Sequence, residues 1–113
     1  MNRFKNAKIY IIKNSVDDRV YIGSTCQRAL TDRLWKHSSS SMDPKANGYN
    51  CALYQHMREV GQFEFTMELV EAYPCATKKE LVAREQYWMD QYDWEILLNQ
   101  RRAIKKKICN YSI

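Results

Sequence analysis

No stretch of this chain approaches the roughly 18 consecutive apolar residues that a membrane-spanning helix needs, so the sequence predicts a soluble protein with no membrane partner. The segment Met1 to Ala7 is polar and basic and leads into no apolar core of a secretory signal, which points to an intracellular compartment. Paired cysteines are missing too. Cys26, Cys51, Cys75 and Cys109 are widely scattered, with no Cys-x-x-Cys and no histidine at finger spacing, so they read as reduced thiols and give a structural zinc site no support. No internal repeat or linker divides the chain. What remains is 113 residues, 45% of them apolar, which excludes a disordered chain and suits one domain with one core.

The formal charge of +5 conceals a strong asymmetry. Met1 to Arg58 holds ten Lys/Arg against four Asp/Glu, whereas Glu59 to Asn99 holds three against nine. Arg101, Arg102, Lys105, Lys106 and Lys107 then make the end of the chain basic. Such polarity suits a protein that presents one basic face to a polyanion, although an ordinary solvated surface has the same composition. The expected organisation is a domain over residues 1–99 and a basic tail over residues 100–113.

Lys8 to Lys13 and Arg19 to Gly23 are rich in Ile, Val and Tyr and are separated by the turn formers Asn14, Ser15, Asp17 and Asp18, which predicts a β-hairpin. Pairing Tyr10 with Tyr21 sets the two phenols opposite each other on one face and leaves Ile9, Ile11, Val20 and Ile22 on the other. Both faces then need cover. Ser24 or Thr25 is the expected cap of a helix running to about His37, with Cys26, Leu30 and Leu34 as its buried stripe. Ser38 to Tyr49, with four serines, Pro44 and Gly48, reads as a flexible loop. Asn50 opens a second helix with Leu53, Met57 and Val60 at core spacing, stopped by Gly61. Phe63, Phe65, Met67 and Leu69 alternate with polar residues as a third strand, and Thr77-Lys-Lys-Glu80 is a capping box opening a helix to about Tyr92.

On that last helix Leu81, Glu85, Trp88 and Tyr92 form one continuous stripe, so Glu85 is a charge on the face meant for the core. An ionised carboxylate taken out of water costs several kcal/mol unless something compensates it. Either an arginine such as Arg33 neutralises it, or it holds a hard divalent cation. Singly, the other polar candidates have bland readings: Tyr10 and Tyr21 as sheet aromatics, Arg33 as an ion-pair residue, His37 as a charge favouring a helix C-terminus. Arg33 and His37 lie four apart and so share a helix face.

Order and spacing shift this balance, because Lys8-Ile9-Tyr10, Tyr21-Ile22-Gly23, Leu30-Thr-Asp-Arg33-Leu-Trp-Lys-His37, Arg84-Glu85-Gln86-Tyr87-Trp88 and Leu98-Asn99 occur in that sequence. In this the chain resembles the GIY-YIG nuclease family over nearly its whole length. It departs from the family at Lys8, in place of the first glycine, and at Ser24, where some members place a lysine. The resemblance implies an α+β fold, an α/β sandwich whose small three-stranded antiparallel sheet is flanked by helices. It also implies a metal-dependent DNA endonuclease of low intrinsic sequence specificity, with Mg²⁺ or Mn²⁺ on Glu85. Tyr10, Tyr21, Arg33, His37 and Glu85 are then the catalytic set, with Tyr10 or His37 as the base, and Gly23 and Asn99 support the site. Arg33, Lys36, Arg101, Arg102, Lys105, Lys106 and Lys107 are the expected contacts to DNA. The alternatives from other classes are a noncatalytic nucleic-acid-binding module that keeps the fold, and an interaction protein whose basic face docks an acidic partner.

Overall fold

A computed structural model describes residues 3–99. The basic tail, with Arg101, Arg102, Lys105, Lys106 and Lys107, lies outside the described residues, as does Cys109. Strand β1 (Lys8–Asn14) carries Ile9, Tyr10, Ile11 and Ile12 as four consecutive buried residues. A strand buried on both faces must be central and covered on both sides. It is: the sheet order is β2 (Tyr21–Thr25), β1, β3 (Phe65–Ala72), with both pairings antiparallel.

Ile9, Ile11, Val20 and Ile22 pack with Leu81 and Met89 of helix α3 (Lys78–Met89). Tyr10 and Ile12 pack on the opposite face with Leu53, Tyr54 and Met57 of α2 (Ala52–Val60) and with Leu30 and Leu34 of α1 (Leu30–Ser41). The expected three-layer α+β arrangement is therefore what the chain adopts.

The hairpin register differs from the simplest pairing. Tyr10 stands opposite Gly23 and Tyr21 opposite Ile12. The cause lies in the turn: Asn14 Oδ1 accepts from the amides of Val16 and Asp17 at 2.8 and 2.9 Å, and Asp17 Oδ1 accepts from the Arg19 amide at 3.0 Å. These bonds extend the turn to Arg19, the first residue of the expected second strand, and the resulting register shift of two preserves the face on which each side chain lies.

Several expected boundaries also move. Ser24 and Thr25 belong to β2 and cap nothing; α1 begins at Leu30 after Ala29, which offers no side-chain cap. At its other end α1 absorbs the serines that read as loop. Ser41 is fully buried and its hydroxyl donates to the Ser38 carbonyl at 2.6 Å, while Arg58 of α2 donates to the Ser41 carbonyl at 2.7 Å. Small hydroxyl side chains bonded back to their own helix let α1 approach α2 closely. Helix α2 starts after Cys51, not Asn50, and ends at Gly61, whose φ of +110° is accessible to glycine. Phe63 falls in a single 3-10 turn and is 90% exposed, so it is no part of the buried face of β3.

Along β3 the register jumps between Ile9 and Tyr10, which face Glu71 and Leu69, leaving Val70 as an extra residue. The bulge reverses the alternation, so Glu71 turns to the α3 side. There it accepts both arms of the Arg84 guanidinium at 2.6 and 3.1 Å and the Trp88 indole N–H at 3.0 Å. The capping box of α3 is complete in both directions between Thr77 and Glu80. Together these contacts set the position of α3, and with it Glu85.

Candidate active site

Tyr10 is 1% exposed, and its ring lies across β2 directly over Gly23. A Cβ on Gly23 would stand 2.4 Å from both the ring Cζ and the hydroxyl, so only glycine leaves room for the phenol. Two residues away on the same face, Tyr21 brings its ring centroid to 6.4 Å from that of Tyr10. The edge of β2 is held by the chain after α3. Val20 and Leu97 form a parallel bridge, and the Asn99 amide side chain both donates to the Ile22 carbonyl at 2.8 Å and accepts from the Ile22 amide at 3.1 Å. Asn99 thus acts as a structural brace for the strand that carries Tyr21 and Gly23.

Helix α1 supplies the next two groups from one face. His37 is 3% exposed, with Nε2 2.9 Å from the Tyr10 hydroxyl and its ring edge-on to Tyr21 at 5.8 Å. Its other nitrogen, Nδ1, is 2.8 Å from the hydroxyl of Tyr54 on α2. His37 is therefore no helix-terminal charge. Burial, reinforced by the positive charges of Arg33 and Lys36, pulls its pKa down to about 3, so the ring is neutral across the physiological range. One turn earlier Arg33 sits beside Tyr10, and its buried Nε has no hydrogen-bond partner among the described residues. A buried donor without an acceptor is costly unless a ligand oxygen completes it.

Burial pushes the Tyr10 phenol up to about 12 despite the opposing pull of Arg33, and it raises Tyr21 further. The Glu85 carboxylate acts on both phenols and is itself influenced by Arg33, which ties the acid of α3 to the groups on the other side of the sheet edge. Burial raises the Glu85 pKa, and the Ser24 hydroxyl, donating to Oε1 at 2.6 Å, opposes that rise. Its hydrogen-bond partner is this serine, not the guanidinium of Arg33, among the described residues. No group of three or more His, Cys, Asp or Glu capable of holding a metal occurs among the described residues. A single half-buried carboxylate of this kind fits a hard cation that keeps most of its ligands as water and substrate phosphate, as Mg²⁺ does, and does not fit a soft or fully caged ion.

Sequence reasoning missed Tyr54. It sits between Leu53 and Met57 in the core stripe of α2, and a phenol on a buried face needs a hydrogen-bond partner, which is the signal that was available. His56 on the same helix has a different role: its Nε2 lies 2.9 Å from Asp17 Oδ2, joining α2 to the hairpin turn.

The chain thus sets two phenols, an imidazole, a guanidinium and a carboxylate beside strand β2 of a three-stranded antiparallel sheet packed between helices. The family model of the GIY-YIG catalytic domain matches residues 6–95, and the chain belongs to that family. Among solved structures, a mutant of the catalytic domain of intron endonuclease I-TevI is similar, with a TM-score of 0.61 and 21% identity over 75% of this chain and 81% of that one. At that identity the likeness concerns the fold. No curated protein matches the chain. Among the described residues, no helix is long and apolar enough to cross a membrane.

Proposed function

We propose that this domain is a divalent-metal-dependent endonuclease that hydrolyses DNA phosphodiester bonds, with Tyr10, Tyr21, Arg33, His37 and Glu85 as its catalytic residues. The observation that carries the reading is the unpartnered buried Nε of Arg33 beside Tyr10 and His37. A forked cation with a free donor suits the nonbridging oxygens of a phosphate better than a neutral core partner would. The similar intron endonuclease domain supports the same class of reaction.

Glu85 would hold Mg²⁺ or Mn²⁺, which when bound stabilises negative charge on the phosphate and on the departing oxygen. Arg33 binds the phosphate and shares that charge as it builds. Tyr10 orients the attacking water and takes its proton while passing its own to Nε2 of His37, 2.9 Å away. Concerted transfer is required, since a phenol held at about 12 cannot stand as a free phenolate near neutrality. In the free protein burial first, and then Arg33 and Lys36, oppose a charged His37; an arriving phosphate offsets the two cations. Tyr21 packs against both Tyr10 and His37 from β2 and orients the water or the phosphate.

Lys36 and the tail residues Arg101, Arg102, Lys105, Lys106 and Lys107 contact DNA phosphates in this reading, giving affinity without base readout and hence low sequence specificity. The test is nicking of supercoiled plasmid in Mg²⁺ and in EDTA, with Glu85→Gln as the control. Nicking that needs the metal and disappears in the variant supports the reading. Binding of DNA with no nicking under any metal supports the noncatalytic module instead.

A further inference from the structure

The imidazole of His37 is gripped at both nitrogens. Nε2 meets the Tyr10 hydroxyl at 2.9 Å and Nδ1 meets the Tyr54 hydroxyl at 2.8 Å, with all three groups buried. A neutral imidazole carries one proton, so one nitrogen donates and the other accepts. Two arrangements satisfy the chain: either Tyr10 donates to Nε2 and Nδ1–H donates to Tyr54, or every bond runs the other way.

The surroundings choose between them. Arg33 is adjacent to the Tyr10 oxygen, so that oxygen turns its lone pairs toward the guanidinium and its proton away from it, toward Nε2. At the far end the Ser40 hydroxyl donates toward the Tyr54 oxygen, which still has a lone pair to accept from Nδ1–H, so that end is compatible with either arrangement and the Tyr10 end decides. The Tyr10 end favours the Nδ1–H form. The ring centroids of His37 and Tyr54 are 5.6 Å apart with an edge-on geometry, which lets the N–H run in the plane of the imidazole to the phenol oxygen.

We infer that Tyr54 is a positioning residue, which accepts a hydrogen bond from Nδ1–H of His37 and so keeps the Nε2 lone pair turned toward Tyr10. This inference rests on the proposed role of His37 as the final proton acceptor. In this role Tyr54 acts through His37. Its contribution is to the tautomer: without it, Nδ1 has no acceptor, and the ring moves its proton to Nε2, where it donates to Tyr10 and can no longer receive.

The test uses the full chain labelled with ¹⁵N histidine, in wild-type form and as Tyr54→Phe, with single-turnover plasmid cleavage in Mg²⁺ measured beside it. The His37 nitrogen shifts of the wild type should show Nδ1–H, and those of Tyr54→Phe should show Nε2–H. The cleavage rate at saturating DNA should fall at least tenfold with the DNA concentration for half-maximal rate unchanged. A merely structural loss would leave the tautomer where it was. Wild-type His37 found as Nε2–H overturns the inference, whatever the activity. So does a Tyr54→Phe protein whose tautomer changes while its cleavage rate does not, provided that His37→Gln is inactive. A His37→Gln protein as fast as wild type sinks the parent reading of His37 and with it any catalytic role for Tyr54. The nitrogen shifts then report separately on the hydrogen bond.

Discussion

The neutral, buried His37 makes the domain sensitive to acid in a way that can be calculated. An imidazole of pKa 6.5 in the unfolded chain is held at about 3 in the folded one, first by burial and then by Arg33 and Lys36. A depressed folded-state value means that between these two limits the unfolded chain binds a proton and the native state does not. Stability therefore falls as pH drops from 6.5 toward 3 and is fully present above 6.5. At more than about 1 kcal/mol per pH unit below 6.5, moving from pH 7.5 to 4.5 removes roughly 3 kcal/mol through this one group. A group 3% exposed has little solvent to screen the effect. The assay is urea unfolding of wild type and His37→Gln at both pH values, since glutamine keeps a donor and an acceptor but does not titrate. Asp17, Glu71 and Glu80, whose values lie below the ordinary carboxylate range through their hydrogen bonds, are present in both proteins and cancel in the difference. The wild-type stability should drop by about 3 kcal/mol more than that of the variant. Parallel pH profiles for the two proteins would refute the reasoning.

Three further perturbations probe the elements that set up the site. Gly23→Ala places a Cβ within 2.4 Å of the Tyr10 ring, so it should cost about 1–3 kcal/mol and abolish nicking, read by denaturant midpoints and plasmid assay together. Thr77→Ala breaks the capping box that starts the helix bearing Glu85 and should cost about 1 kcal/mol, seen as a thermal midpoint roughly 5 °C lower. Removing residues 100–113, with their five Lys/Arg, should weaken DNA binding and flatten its dependence on log salt, measured by fluorescence anisotropy at several ionic strengths. An unchanged slope would assign the affinity to residues 1–99.

The hairpin was legible because Ile and Tyr occupy both faces of β1 and the turn is announced by Asn14 and Asp17. Which residues share a face survived an error of two in register, since period-two geometry is indifferent to even shifts. The capping box was equally plain, because it is a local chemical motif whose partners are three residues apart. Ser38 to Ser41 misled for the opposite reason. Serine prefers turns in isolation, and only the packing of α1 on α2, with Arg58 on the Ser41 carbonyl, makes a helix of it. The bulge at Val70 has no glycine to betray it, and its purpose, turning Glu71 toward Arg84 and Trp88, exists only once α3 is docked. The candidate site was legible as an order of motifs, with Arg33, His37, Tyr10 and Tyr21 meeting as expected. The state of His37 was not, since its neutrality comes from burial beside Arg33 and Lys36 and its second hydrogen bond from Tyr54, a residue that from its spacing alone is simply core.

The most direct measurement is the single-turnover rate of plasmid nicking in Mg²⁺ for wild type, Arg33→Ala and Glu85→Gln, each first verified as folded by its unfolding transition. With guanidinium and carboxylate sharing the charge of a scissile phosphate, each variant should be slower by about 100-fold or more. Nicking by both variants at the wild-type rate would contradict the assignment of this cluster as the hydrolytic centre.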